Sequence, residues 1–143
     1  MLHLEFSQMP YRFRAHTSDI RMRVTGKSLE ELFRDALLGM VSAMKPLSSR
    51  KLNLVKRSIA IDAPDATSLL VDFLGEALVW MHTKREAYVA VRFRTLTESA
   101  LDAELEGYIA DSFGEDIKAV TYHEAEVKRN VEGTWATTII FDV

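Results

Sequence analysis

Asp142 is the acid of this sequence whose setting most invites chemistry. It follows Ile139-Ile140-Phe141 and precedes Val143, where the sequence stops. A carboxylate beside a buried strand is costly unless it is paired, hydrogen-bonded or metal-bound. With the end of the sequence at Val143, a second carboxylate lies next to it. Two hard oxygen anions side by side suit Ca²⁺ or Mg²⁺ better than a softer metal. The competing reading is a solvated C-terminus, and the residues alone favour it.

Other constellations are weaker. The four histidines, His3, His16, His82 and His123, lack the paired helical spacing of a zinc protease. His82, near a helix end, reads as a solvated or capping residue, and His3 lies in the first few residues. His16 and His123 each sit beside a polar residue in otherwise apolar strand surroundings, which fits a satisfied buried imidazole or a structural hydrogen bond. His16-Thr17-Ser18-Asp19 places serine, histidine and aspartate together, but triad partners meet through the fold and not along the chain. No Gly-rich phosphate loop is present. A metal-assisted hydrolase would need a positioned nucleophile and an acid or base, and too few candidates surround the acids.

The elements that must position these residues follow from periodicity. Tyr11 to Arg14 and Ile20 to Val24 alternate apolar and basic residues, with Tyr11, Phe13, Ile20, Met22 and Val24 on one parity and Arg12, Arg14, Arg21 and Arg23 on the other. Period two marks half-buried strands. From Ser28 to Met44 the period changes: Leu29, Leu32, Phe33, Ala36, Leu37, Met40, Val41 and Met44 make one helical stripe. Ser28 and Glu31 form a capping box at its start, and Pro46 ends it. A strand is expected over 51–63. A second helix is expected over 65–84, with Val71, Val79 and Trp80 widening its stripe, so that it is covered on more than one side. Residues 87–97 alternate Val89, Val91 and Phe93 against Arg92 and Arg94, and residues 101–109 alternate again. The last strands are expected over 117–127 and 134–142, joined through a turn at Glu132-Gly133. Strands clustered late in the chain favour antiparallel pairing, so the fold class is α+β, with two amphipathic helices covering one face of the sheet.

The totals bound the function. One domain over 1–143 is expected, of a size that folds without a staple. The absence of cysteine excludes disulfides and thiolate chemistry and suits a reducing cytoplasm. No apolar run reaches the roughly 18 residues of a membrane span, and Met1 to Pro10 lacks the charge and apolar pattern of a signal peptide. The net charge of −3, with a pI near 5.8, argues against strong nucleic-acid binding by the chain as a whole. The arginine parities of the strands nevertheless leave an RNA-binding face open as a reading, against the simpler one of a solvated sheet face.

Several segments together resemble the archease family. They are Tyr11-Arg12-Phe13-Arg14-Ala15-His16-Thr17-Ser18-Asp19-Ile20, Gly26-Lys27-Ser28-Leu29-Glu30-Glu31-Leu32-Phe33, Leu69-Leu70-Val71-Asp72-Phe73-Leu74-Gly75-Glu76, Ile117-Lys118-Ala119-Val120-Thr121-Tyr122-His123 and the closing Ile140-Phe141-Asp142-Val143. Ser18 replaces the family's usual alanine. Ala15 stands where an acidic residue often precedes the histidine, which removes one possible ligand. Residues 1–9 have no counterpart and are expected to form a mobile end.

The resemblance implies a strand–helix–strand–strand module with an inserted helix and strands, in a largely antiparallel sheet. It implies a cytoplasmic accessory protein, not itself an enzyme, that activates the RNA-splicing (tRNA) ligase RtcB by promoting its guanylylation and repeated turnover. Contact with tRNA would then run through the ligase. The other role implied is a chaperone-like one toward a tRNA cytosine methyltransferase. Carried over by position, Asp19 and Asp142 match the family's metal-binding aspartates and Val143 its terminal ligand position. The metal implied is divalent, Ca²⁺ first, with Mg²⁺ or Mn²⁺ as alternatives. Lys118 matches the lysine of a Lys-Ala-x-Thr-Tyr motif tied to ligase activation. Asp19 and Asp142 each end a strand pattern, so their carboxylates converge if those strands are neighbours.

Overall fold

A computed structural model of the chain describes residues 10–15, 19–48 and 54–143. The expectations for residues 1–9, for His3, His16, Thr17 and Ser18, and for a strand over 51–53 lie outside the described residues. The fold is α+β and antiparallel.

Alternation at the start becomes strands β1 (Tyr11–Ala15) and β2 (Asp19–Gly26). Met22 and Val24 are fully buried while Arg23 and Thr25 are exposed. Helix α1 (Leu29–Ala43) starts where the capping signal stands: the Ser28 hydroxyl accepts the Glu31 N–H at 3.1 Å. After it come a short strand β3 (Pro46–Leu47) and the longer β4 (Leu54–Asp62). Helix α2 (Ala66–Lys84) is capped by Asp65, whose carboxylate accepts the Ser68 N–H at 2.8 Å. Its apolar surface is wide, as expected, through buried Val71 and half-buried Trp80, but Val79 stays exposed.

The remaining strands are β5 (Glu86–Leu96), β6 (Ala100–Ile109), β7 (Ser112–Phe113), β8 (Ala119–Thr121), β9 (Lys128–Arg129) and β10 (Trp135–Asp142). They form a five-stranded sheet in the order β1-β2-β10-β8, with β9 also paired to β10, a three-stranded sheet β4-β6-β5, and a small β3-β7 pair. One sheet under two helices is therefore not what forms. Helix α1 packs against β2 and β5, and α2 against β8, β4 and β5, so each helix touches both large sheets. Phe33 of α1, Phe73 of α2 and Phe93 of β5 meet with ring centroids 5.8, 6.0 and 6.5 Å apart. No helix of the described residues is long and apolar enough to cross a membrane.

Two strand expectations are corrected. The pairing of β5 with β6 shifts register between Tyr88 and Ala90. A bulge inserts one residue, so side chains beyond it change face. Ala87 and Tyr88 are both buried and Val89 turns outward, at 58 % exposure, although simple alternation assigns it inward. Of the single strand expected over 117–127, only the short β8 forms, and β9 follows outside that span. Glu124 adopts a left-handed conformation (φ 60) and the Ala125 N–H donates to the Tyr122 carbonyl at 3.0 Å, which turns the chain after β8.

The bulge depends on Gly107, which lies opposite Tyr88. A Cβ at Gly107 would overlap the Ala87 carbonyl oxygen and lie 2.8 Å from Tyr88 Cα. Both obstacles are backbone and cannot rotate away. Gly107→Ala is expected to destabilise the protein by about 1–3 kcal/mol, the usual cost of overpacking, read as a lower denaturation midpoint at an unchanged slope. The same substitution at Gly75, where a Cβ meets nothing within 4 Å, should be neutral or slightly stabilising through helix propensity.

Candidate functional site

Strand β2 begins at Asp19 and β10 ends at Asp142, and their antiparallel register makes these two residues direct partners, next to the pair Phe141 and Ile20. Directly opposed residues project to the same face with Cβ atoms about 4.5–5.5 Å apart, and like charges in that position repel. Asp142 is exposed and Asp19 half-buried. The Oδ1 atom of Asp19 is buried and has no hydrogen-bond partner among the described residues. A buried carboxylate oxygen without a donor, facing a second carboxylate, is an unmet demand for positive charge.

Arg21, two residues along the same strand, attracts Asp19 by its charge but donates no hydrogen bond to it. Its Nη1 donates to Glu124 Oε1 at 2.7 Å, and its buried Nε has no partner among the described residues. The Glu124 hydrogen bond raises the Arg21 pKa above its ordinary value. The donor set facing Asp19 is therefore hard and anionic, which suits Ca²⁺, Mg²⁺ or Mn²⁺. Among the described residues, no third histidine, cysteine or carboxylate side chain joins the pair. The rest of an oxygen shell would have to come from main-chain oxygens and water. Val143 follows at once, half-buried, with its side chain packed on the core.

Lys118 belongs to this end of the sheet. Its N–H donates to the Asp142 carbonyl oxygen at 2.7 Å. The residue before it, Ile117, is fully buried, and its N–H donates to Met44 Sδ at 3.2 Å. Buried Ile117 and the Asp142 carbonyl thus hold the main chain, while Lys118 itself is exposed. It borders an open cleft of about 550 Å³ together with Met44, Met81, His82, Arg85 and Asp116.

Arg85 was not a sequence candidate. It caps α2 with a left-handed backbone (φ 56), and only that turn brings it to the cleft. His82 is exposed, as expected, and lies 3.5 Å from Asp116. His123 is not in strand surroundings: β8 stops at Thr121, and the imidazole is exposed in the following turn, 3.6 Å from Glu124.

The arginine-bearing strands do not form one basic face. Arg92 and Arg94 stand on the three-stranded sheet, where Arg92 pairs with Glu106 at 2.9 Å and Arg94 with Asp102 at 3.1 Å. Arg12, Arg21 and Arg23 stand on the five-stranded sheet.

A family model described as the Archease protein family matches residues 11–143. "Protein archease" of Methanosarcina barkeri is 30% identical over 142 residues, covering 93% of this chain and 95% of the relative. The protein of the same name from Thermococcus gammatolerans is 31% identical over 136 residues, covering 90% and 94%. Among solved structures, a Methanobacterium thermoautotrophicum protein determined in solution superposes with a TM-score of 0.67 at 24% identity, covering 94% of this chain and 99% of that one. A crystal structure from Thermotoga maritima, described as an archease and possible chaperone, gives 0.66 at 18% identity over 91% and 94%.

Proposed function

The chain belongs to the archease family, and on that premise we propose that it is an accessory protein of RNA ligation that activates the ligase RtcB. In this reading it performs no reaction alone. It promotes guanylylation of the ligase and its repeated turnover in the cytoplasm, and it reaches tRNA through the ligase.

The observation that supports this reading is the meeting of Asp19, Asp142 and Lys118 at one sheet end. Asp19 and Asp142, with a main-chain oxygen of Val143, would hold a divalent cation, Ca²⁺ in the first instance. When bound, such an ion supplies concentrated positive charge beside phosphate oxygens. Asp19 and Asp142, opposed in register, would lose their mutual repulsion on holding the ion, and the end of β10 with the Lys118 main chain tied to it would then keep one position. Lys118 would present its ammonium to the partner as a flexible point charge suited to phosphate or to a ligase carboxylate. Its main chain is anchored through Ile117 and Asp142, so the charge is delivered from a fixed base.

Lys118→Ala tests the proposal. Because Lys118 is exposed, the substitution should change stability by at most about 0.5 kcal/mol and leave cation affinity unaltered. Single-turnover guanylylation of the ligase, at saturating accessory protein, should slow about tenfold or more, as when a charge-stabilising donor is removed. A variant matching the wild type in that assay would reduce Lys118 to a solvated surface charge.

A further inference from the structure

The two large sheets treat their outer arginines differently, and the difference points to a ligand. On the three-stranded sheet, every arginine on the β5–β6 outer face has an acid: Arg92 lies opposite Glu104 in register and bonds Glu106 at 2.9 Å, and Arg94 bonds Asp102 at 3.1 Å. That is how a solvated sheet face settles its charge.

On the five-stranded sheet Arg12 of β1 lies directly opposite Arg23 of β2. Like charges in that position repel. Both residues are exposed. Arg12 has no hydrogen bond or ion pair among the described residues. Among the described residues Arg23 makes only a 3.4 Å contact from Nη1 to the Thr138 hydroxyl, and Arg21 spends Nη1 on Glu124 while its buried Nε finds no acceptor. In a chain of net charge −3, positive charge has been concentrated here and left short of acceptors.

We infer that this outer face is a docking track for the phosphate backbone of a single-stranded nucleic acid. Arginine's planar fork matches phosphate oxygens. Arg12 and Arg23, directly opposed across β1 and β2, set two such forks side by side, where a phosphate lying between them would relieve their repulsion. The aromatic residues of β1 take the other parity: Tyr11 and Phe13 pair with Val24 and Met22 on the core face. Bases therefore have no stacking platform here, and recognition rests on phosphate charge alone. Binding is sequence-independent, modest and strongly salt-dependent. The track ends at Asp19, two residues beyond Arg21 on the same face, so a strand lying along it brings its end toward the paired aspartates. Binding by this chain alone does not depend on the ligase reading.

The test is fluorescence anisotropy of a labelled oligouridylate with the full chain, between about 50 and 200 mM salt. Phosphate contacts by Arg12 and Arg23 predict a log–log slope near −1.4, at about −0.7 per contact. Arg12→Ala/Arg23→Ala should weaken binding about tenfold at the low-salt end and flatten the slope by about 1.4, with an unchanged circular dichroism spectrum. Arg92→Ala/Arg94→Ala should stay within about twofold of wild type, because those charges are already paired. Absence of saturable binding at low salt overturns the proposal, as does an Arg12→Ala/Arg23→Ala variant that binds like wild type. Polyglutamate of equal charge displacing the oligonucleotide with equal potency would also overturn it, assigning the face to an acidic protein instead.

Discussion

Asp142→Asn is expected to weaken Ca²⁺ binding on the order of 100-fold, measured by calorimetric titration, while leaving the fold in place. Asparagine keeps the size of the side chain, and Asp142 is exposed, so strand β10 should form as before. What is lost is one of two formal charges in the donor set, and ligand charge sets the affinity of hard-cation sites over orders of magnitude. The opposed geometry adds a second readout with the opposite sign. Without cation, Asp19 and Asp142 repel across β2 and β10, so removing one charge should raise the melting temperature slightly, by the equivalent of about 0.2–1 kcal/mol. With cation present the wild type should gain stability in proportion to ligand binding, and the variant should gain little. Asp19→Asn should behave alike. Equal Ca²⁺ affinity in wild type and Asp142→Asn would remove Asp142 from the site.

Arg57→Ala should destabilise the protein by about 3 kcal/mol. Glu86 opens β5 with its side chain only 4% exposed, and Arg57 of β4 bonds it through both Nε and Nη2, at 3.1 and 2.5 Å. Tyr88 donates its hydroxyl to the same carboxylate at 2.6 Å. Breaking a buried pair by removing one partner costs about 3–5 kcal/mol. The lower end applies because Arg57 is 30% exposed and the Tyr88 bond survives. Loss of the Arg57 guanidinium from the Trp80 ring, 4.8 Å away, adds to the cost. A fall of about 10 °C in melting temperature follows for a chain of this size.

The same group sets an acid limit. Burial by itself would raise the Glu86 pKa, but the hydrogen bonds from Arg57 and Tyr88 and the Arg57 charge outweigh it and hold the pKa below its ordinary value. Burial, followed by the bond to Glu86, pushes the Tyr88 hydroxyl up, so it remains a donor at all working pH. A carboxyl depressed in the folded state contributes stability that is complete above its unfolded pKa, about 4.3. That contribution is lost as pH falls through the folded value. Stability of the wild type should therefore drop below about pH 4, and Glu86→Gln/Arg57→Met should show a shallower acid limb. Identical acid limbs in the two proteins would show that Glu86 carries none of this dependence.

Much of the local structure was legible. Alternation marked β1, β2 and β6, and the stripe from Leu29 to Met44 with Ser28 and Glu31 marked α1, because burial on one side imposes a period that the backbone geometry sets. The Glu132-Gly133 turn is also present, with Gly133 at φ 90 and the Asn130 side chain accepting the N–H groups of Glu132 and Thr134. The failures were those where one residue changes the periodicity. The bulge after Tyr88 reversed the parity of Val89, and the turn at left-handed Glu124 left only β8 of the strand expected over 117–127. Glu86 was invisible in the sequence, since nothing in Lys84-Arg85-Glu86 distinguishes a buried acid from a solvated one.

From residue types alone, the sequence determined that the chain makes two helices, the first with its cap, and antiparallel strands, that it has no thiol chemistry, and that Asp19 and Asp142 each end a strand. Which strand each of those acids would face lay beyond it. Residues 19 and 142 are brought together by the register of β2 against β10, a pairing set by how Ile20, Met22 and Val24 share the core with Phe141, Ile139 and Thr137. The arginines divide in the same way. All alternate alike in sequence, but tertiary pairing gives Arg92 and Arg94 acidic neighbours and gives Arg12 another arginine. Period two specifies a face, and only long-range packing specifies what lies opposite it.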